Sequence, residues 1–178
     1  GTHPHFLAMT ATPIPRTLSI TYHGDMDLSI IDEMPANRIP VVTQVVEPMR
    51  LGKVYKFIRE EVGEGRQCMV IYPLVEESEK SDLAAAVDAH KQLDEKFFPD
   101  ISVGLVHGKM KSGEKDEIME KFSKNEISIL VSTTVVEVGV DIPNATVMVV
   151  EHAERFGLTQ LHQLRGRVGR GTEKSFCV

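Results

Sequence analysis

Short runs of β-branched and apolar residues recur along the chain from residue 40 onward, and amphipathic segments separate most of them. Three of these runs are QCMVIYPL, ISILVSTT and TVMVVEH, which occupy residues 67–74, 127–134 and 146–152. Continuous rather than alternating apolar runs are typical of parallel strands that are covered on both faces. Strands that alternate with helices form a doubly wound α/β domain. The pattern therefore predicts a parallel sheet with helices on both faces.

Two of the amphipathic segments carry apolar residues at helical spacing. The positions are Leu51, Val54, Ile58 and Val62 in the first segment and Leu83, Val87, His90 and Phe97 in the second. We expect both sets to face the sheet. The acidic stretch EESEKSD, residues 76–82, reads as a solvated loop and helix start.

A change of composition at DEMPANRIP, residues 32–40, marks a candidate linker with two prolines, an asparagine and several charges. Residues 36–178 then form the main predicted domain, and residues 1–35 are the tail of another. In that tail, HFLAMTATP and MDLSIID read as strands.

The apolar side chains of this tail have no evident partner, and they are Phe6, Leu7, Met9, Leu28, Ile30 and Ile31. Unpaired strand edges and exposed apolar groups favour association. We expect the tail to pack against the main domain or against a second copy, in which case exchanged arms give a dimer caused by truncation.

Composition excludes several classes of protein. No apolar run reaches the ~18 residues of a membrane span, and no signal-peptide layout opens the chain, so we expect no membrane partner. Cys68 and Cys177 lie in strand-like runs, which favours a reduced, cytoplasmic setting. No metal-ligand spacing occurs among the histidines and cysteines, so no metal site is predicted. With a formal net charge of -6, any nucleic-acid contact must be local.

Ligands of such folds bind at the carboxyl ends of the strands. The residues that follow the predicted strands are expected to lie along one edge, and they are His107, Gly108, Thr133, Thr134, Glu137, Gly139 and Asp141. This edge is the first candidate site.

The stretch HQLRGRVGRG, residues 162–171, concentrates guanidinium groups among glycines. If it is helical, Leu161, Leu164 and Val168 share one arc, and Gln163, Arg167 and Arg170 share another. No acid occurs between Arg155 and Arg170, so two planar cationic forks and an amide suit a triphosphate better than a carboxylate. The alternative is that these arginines are solvated and complement the helix dipole.

Four stretches resemble motifs of superfamily 2 helicases in their usual order. QLRGRVGR resembles motif VI, TTVVEVGVDIP resembles motif V, QCMVIYPLVEES stands in the place of motif IV, and TATPIPRTL resembles motif III. The segments IIDEMP, PLVEES and VEVGVD resemble the corresponding segments of RecG-type branched-DNA helicases. The alternatives are the transcription-repair coupling translocases, which share part of this pattern, and a RecA-like binding module without catalysis.

This resemblance implies a second RecA-like motor lobe at residues 36–178 and the end of the first lobe at residues 1–35. ATP with Mg²⁺ would lie between the two lobes. The chain has no G-x-x-x-x-G-K-[ST] loop and no acidic box before TAT, so the resemblance places the metal ligands outside it. The implied partners are branched or forked DNA and the first lobe and wedge domain of the same chain. Alone, the chain is expected to be inactive.

The resemblance also assigns roles to individual residues. Arg167 and Arg170 would act as arginine fingers on the γ-phosphate, and Gln163 would orient a guanidinium fork or the attacking water. The remaining implied contacts are Glu137, Gly139 and Asp141 with the nucleotide, Thr133, Thr134, His107 and Gly108 with the DNA backbone, and Thr10 and Thr12 between the lobes. The structural alternatives are that Asp141 lies in an exposed turn, that Thr133 and Thr134 fill the end of a strand, and that His107 is a core or capping residue.

Overall fold

Six parallel strands form a sheet in the computed structural model, which describes residues 7, 9, 29–31, 33, 39–74, 79–133, 142–169 and 171–178. The chain divides into two units, Gly1–Pro35 and Ala36–Val178, and the sheet belongs to the second. No helix among the described residues has the length and apolar character that a membrane span requires.

The order of the strands across the sheet is β1-β6-β5-β2-β4-β3, and every neighbouring pair is parallel. The strands are β1 (Val42–Thr43), β2 (Gln67–Tyr72), β3 (Val103–Val106), β4 (Ile129–Thr133), β5 (Ala145–Val150) and β6 (Phe176–Cys177). The helices are α1 (Leu51–Gly63), α2 (Glu79–Gln92), α3 (Ser112–Ser123) and α4 (Leu158–Arg165). A π-helical turn, Leu93–Phe97, extends α2, and 3₁₀ turns occur at Pro48–Arg50 and Ala153–Arg155.

Each face of the sheet has its own apolar core. Along β2, Cys68 and Val70 point into one core, whereas Met69 and Ile71 point into the other. The first core also contains Val54 and Ile58 of α1 with Leu93 and Phe98 after α2. The second contains Phe122 of α3 and Leu164 of α4. The predicted parallel sheet with helices on both faces is thus confirmed.

The buried face of α2 differs from the predicted stripe. Val87, which was expected to face the sheet, is 40% exposed, and Ala86 beside it is fully buried. The buried positions are Asp82, Ala86 and Leu93, so the stripe is rotated by one residue. A small residue at the contact lets the helix backbone approach the sheet closely, and this requirement outweighs the apolar character of Val87.

A buried polar network closes the sheet where β2 and β5 begin. The side-chain amide of Gln67 donates to the carbonyls of Phe122 and Ile127, at 2.6 and 2.7 Å. The side-chain amide of Asn144 donates to the Gly65 carbonyl at 2.9 Å and to Gln67 Oε1 at 3.2 Å. These bonds satisfy buried polar groups and fix the chain just before β5.

The strands predicted for the tail are not found at its described residues. Leu7, Met9, Ile30 and Ile31 have no regular secondary structure, and all four side chains are exposed. Phe6 and Leu28 lie outside the described residues. The exchange of arms between two copies stays a prediction.

Candidate functional site

Four polar residues stand side by side where neighbouring strands end. Pairing of Val106 with Ser132 and of Tyr72 with Thr133 places His107, Thr133 and Tyr72 in one row. Pairing of Ile71 with Val150 adds Glu151, which follows β5. Residues in register on parallel strands point to the same face, so this carboxyl-end row presents its side chains together.

Two atoms of the carboxyl-end row are buried without a hydrogen-bond partner in the part of the chain that the structure describes. They are Thr133 Oγ1 and His107 Nδ1. An unpaired buried polar group costs about 1–3 kcal/mol, and such groups in native proteins call for an explanation. The neighbouring hydroxyl of Ser132 does have a partner, because it donates to the Thr133 carbonyl at 2.7 Å. Thr133 and His107 are therefore candidates for contact with a ligand.

Lysines surround the β3 end of the row. Lys115 Nζ donates to the Gly108 carbonyl at 2.9 Å, which pins the turn between β3 and α3. Burial lowers the pKa of His107, as do the nearby charges of Lys115 and Lys109, while Glu114 raises it in part. With two lysines and one carboxylate beside His107, this end of the row suits an anion such as a phosphate group.

The β5 end of the row has the opposite charge. Burial raises the pKa of Glu151, while nearby His152 lowers it in part. Burial also raises the pKa values of Tyr55 and Tyr72, with a further contribution from the charge of Glu151. Tyr72 and Glu151 were not predicted as site residues, although a carboxylate directly after a buried apolar run is a signal that the sequence offered.

Helix α4 ends before Arg167, so Gln163 and Arg167 do not share the predicted helical arc, and Arg170 lies outside the described residues. Helix α4 begins with the Gly157 N–H donating to Gln160 Oε1 at 3.0 Å, and it ends at Arg165. Further on, Gly169 has φ = 74°, which an α-helix does not allow. The apolar side of the prediction is confirmed, because Leu164 and Val168 are buried in the core and Leu161 packs against it.

Two glycines hold the segment after α4 against the domain. A Cβ built on Gly169 lies 2.8 Å from Val41 Cγ2, and one built on Gly171 lies 2.8 Å from the carbonyl oxygen of Pro143. Neither position accepts a larger residue without movement of its neighbours. Val41 and Pro143 precede β1 and β5, so Gly169 and Gly171 lie where these strands begin. Residues 166–171 are here called the arginine segment.

The predicted site residues that the structure describes therefore fall in two places. His107, Gly108 and Thr133 belong to the carboxyl ends of β3 and β4, whereas Arg167 lies beyond α4, towards the opposite ends of the strands. The reason is that α4 leads back from the end of β5 to the start of β6. Gln163 is exposed, and Arg167 is half-buried. The backbone N–H of Arg167 donates to the Leu164 carbonyl at 2.9 Å.

Several predicted residues lie outside the described part of the chain, and they are Thr10, Thr12, Thr134, Glu137, Gly139, Asp141 and Arg170. Among the described residues, no group of three or more His, Cys, Asp or Glu side chains is arranged to hold a metal ion. Both cysteines are free and buried, in β2 and β6.

An ion pair that the sequence analysis missed joins α2 to the turn before α4. Arg155 Nη1 lies 2.6 Å from Asp82 Oδ1, and Arg155 Nη2 lies 3.0 Å from Asp82 Oδ2. Asp82 is only 5% exposed, so its expected place in a solvated helix start is wrong. Its spacing from Ala86 and Leu93 placed it on the buried stripe of α2, and this signal was available in the sequence.

Comparison with known proteins gives the chain a family. Residues 50–172 match the helicase conserved C-terminal domain. The ATP-dependent DNA helicase RecG of Synechocystis sp. is 57% identical over all 178 residues, which span 21% of that relative. The RecG of Bacillus subtilis is 55% identical over the same 178 residues, which span 26% of it. The chain thus covers only about a fifth to a quarter of the length of these relatives.

Solved structures agree with this assignment. A structure of RecG bound to a three-way DNA junction is similar with a TM-score of 0.76 and 47% identity, over 94% of this chain and 21% of that one. S. cerevisiae Dbp5 bound to RNA and ADP BeF3 is similar with a TM-score of 0.65 over 94% of this chain and 42% of that one, and at 13% identity this likeness concerns the fold alone. These matches confirm the RecA-like fold of a second helicase motor lobe. The chain therefore belongs to the family of helicase conserved C-terminal domains, and over its whole length it is similar to part of the RecG helicases.

Proposed function

We propose that the chain is the second motor lobe of an ATP-dependent helicase that acts on branched DNA, such as forks and recombination intermediates. The observation that carries the proposal is the arginine segment, which follows a short helix and is held in place by the contacts of Gly169 and Gly171. Relatives that are 57% and 55% identical are named ATP-dependent DNA helicases, and a similar structure holds a three-way DNA junction. The full-length protein that contains this lobe is called the full-length motor below.

In this proposal, Arg167 and Arg170 are the residues that meet the phosphates of ATP. A guanidinium group stays charged at any physiological pH and offers two parallel donors to phosphate oxygens. Charge that builds on the γ-phosphate during its transfer to water is stabilised by such a group. Gln163, exposed on α4, orients the attacking water or an arginine guanidinium group. ATP bound with Mg²⁺ supplies the phosphoryl group, and the metal ligands belong to the first lobe.

We further propose that Asp141, Gly139 and Glu137 contact the same nucleotide. Support comes from the described neighbours of these residues and of Arg170. Pro143 contacts Gly171, because a Cβ on that glycine reaches the Pro143 carbonyl oxygen. Pro143 and Gly171 therefore lie close together, and in the sequence they follow Asp141 by two residues and Arg170 by one.

The carboxyl-end row is the proposed contact with the DNA backbone. We assign Thr133, Thr134, His107 and Gly108 to a phosphate. Thr133 Oγ1 and His107 Nδ1 are buried without a hydrogen-bond partner among the described residues, so the proposed contact requires that DNA binding uncovers them. Contacts of this kind fix the register of the protein on DNA without reading its sequence. The lysines beside His107 give the row the charge that such binding needs.

The proposed partners are branched DNA and the first lobe and wedge domain of the same protein, with Thr10 and Thr12 coupling the lobes. A cytoplasmic location is consistent with the two free, buried cysteines. Arm exchange between copies stays a prediction for the isolated chain and has no role in the proposed activity.

The proposed function predicts different behaviour for the isolated chain and the full-length motor. We expect the isolated chain to show no ATPase activity and at most weak ATP binding, because it supplies only one side of the phosphate contacts. The full-length motor is expected to hydrolyse ATP when branched DNA is added. Steady-state ATPase assays with and without a three-way junction test this, together with calorimetric titration of the chain with ATP and Mg²⁺. Micromolar ATP binding by the isolated chain contradicts the proposal.

Substitution of Thr133 by valine separates the role of its hydroxyl in DNA binding from any role in folding. Valine has nearly the same shape but no hydroxyl, so the change removes an unpaired buried group. We expect the isolated chain to be about 1 kcal/mol more stable in urea unfolding. The full-length motor is expected to bind a three-way junction at least about 10-fold more weakly, since a hydrogen bond from a hydroxyl to a charged phosphate contributes about 1.5–3 kcal/mol.

Ser132→Ala is the matched control for this experiment. The Ser132 hydroxyl is equally buried but is hydrogen-bonded to a carbonyl within the lobe. Its loss is expected to destabilise the chain by about 1 kcal/mol and to leave junction affinity unchanged. Equal junction affinity of the wild type and Thr133→Val contradicts the assignment of Thr133.

A further inference from the structure

The turn between β5 and α4 is attached to the rest of the domain by the bidentate ion pair of Arg155 and Asp82, here called the fork. Both guanidinium nitrogens at the tip of Arg155 reach the carboxylate, at 2.6 and 3.0 Å, in the bidentate geometry that fixes direction as well as distance. The carboxylate is 5% exposed, so water competes little for it. Asp82 lies in α2, which follows β2, so the fork connects segments that leave the two central strands of the sheet.

Among the described residues, little apolar burial fixes the position of this turn. His152 has φ = 52°, a left-handed conformation that costs energy for a residue with a side chain. Ala153–Arg155 is a single 3₁₀ turn with no buried residue, and Leu158 at the start of α4 is 86% exposed. Phe156 is the buried apolar side chain between these points. The fork therefore restrains a stretch that apolar packing alone holds weakly.

Helix α4 carries this restraint to the arginine segment. With 8 residues, α4 is too short to be stable without tertiary contacts. Leu161 and Leu164 pack it on the core, while the fork holds the turn before it and Gly169 holds the segment after it. A change at the start of so short a helix moves its far end, where Arg167 follows.

We infer that Arg155, held by Asp82, is a positioning residue for the arginine segment and acts on ATP hydrolysis through Arg167. This inference rests on the proposed function, in which Arg167 meets the γ-phosphate. Arginine is needed at position 155 because its planar fork makes two bonds of fixed direction, whereas lysine offers one flexible point charge. A displacement of about 1 Å at a catalytic group is enough to lower a rate by about a hundredfold.

The test uses Arg155→Lys and Asp82→Asn in the full-length motor. We expect either change to lower kcat for junction-stimulated ATP hydrolysis by about tenfold and to leave KM for ATP within about twofold, because transition-state contact is affected more than ground-state binding. Assays are run at a temperature at which thermal melting shows each variant to be folded. Arg59→Lys is the matched control, because Arg59 Nη1 contacts both oxygens of Asp100, at 2.9 and 2.7 Å, away from the turn before α4. Its kcat is expected to change by less than about twofold.

A double-mutant cycle distinguishes positioning from a purely structural role. If Arg155 acts through Arg167, the change Arg155→Lys has no further effect on kcat in an Arg167→Ala background. An equal tenfold loss in both backgrounds overturns the inference, and so does a loss of kcat that only follows the folded fraction. Full activity of Arg167→Ala alone contradicts the proposed function itself, whereas a slow Arg167→Ala beside an unaffected Arg155→Lys overturns only the positioning role.

Discussion

Replacement of Arg167 by alanine in the full-length motor is expected to lower kcat for ATP hydrolysis by about 10³–10⁵-fold. This is the range found for arginine fingers, which stabilise charge on the transferring phosphoryl group. KM for ATP is expected to change much less, because the contact strengthens as the transition state forms. Junction-stimulated ATPase rates over a range of ATP concentrations give both quantities.

Arg165→Ala is the control for this large effect. Arg165 is exposed two residues earlier, and its Nη2 lies 3.3 Å from His162 Nδ1 on the same helix. We expect its kcat to stay within about threefold of the wild type, as is usual for surface substitutions. Comparable rates for Arg167→Ala and Arg165→Ala contradict the assignment of Arg167, and thermal melting shows whether either variant is unfolded.

Gly169→Ala is expected to destabilise the isolated chain by about 2–4 kcal/mol. A methyl group at φ = 74° is strained by about 1–2 kcal/mol, and it meets Val41 Cγ2 at 2.8 Å, which adds an overpacking cost. Urea unfolding with a common m-value measures the change. In the full-length motor the same substitution is expected to lower kcat, because it displaces the arginine segment.

Gly113→Ala is the matched control for Gly169→Ala. Gly113 lies in α3, and a Cβ built there meets nothing within 4 Å. Alanine is the better helix former, so this variant is expected to gain about 0.5–1 kcal/mol of stability. A stability of Gly169→Ala equal to that of the wild type shows that the glycine contacts do not hold the arginine segment as described.

The periodic parts of the fold were predictable from the sequence because burial determines them directly. Continuous apolar runs gave the strands β2, β4 and β5 close to their observed bounds, and the stripe of α1 buries Val54 and Ile58 as expected. The buried stripe of α2 was misplaced by one residue, since Ala86 is chosen for close packing rather than for apolar area. The helix predicted in the arginine stretch was also too long, because the helical spacing of its residues does not reveal the positive φ of Gly169.

The site was predictable only where its residues follow strands in the order of the chain. His107 and Thr133 were placed correctly at neighbouring strand ends, since a parallel sheet brings those ends together. Asp82 and Arg155 are 73 residues apart, and nothing local links an acid on one helix to an arginine in a distant turn. The position of the arginine segment relative to the row depends on the path of α4 across the sheet, which no local pattern in the sequence indicates.

The most direct test of the account is a crystal structure of the full-length motor with ADP, aluminium fluoride, Mg²⁺ and a three-way junction. The fluoride marks the place of the transferring γ-phosphate. If Arg167 is an arginine finger, we expect its guanidinium nitrogens about 2.7–3.0 Å from the fluorine atoms of the aluminium fluoride, as in charge-assisted hydrogen bonds. A structure in which Arg167 instead pairs with a carboxylate inside its own lobe, with the fluoride beyond its reach, contradicts the central claim.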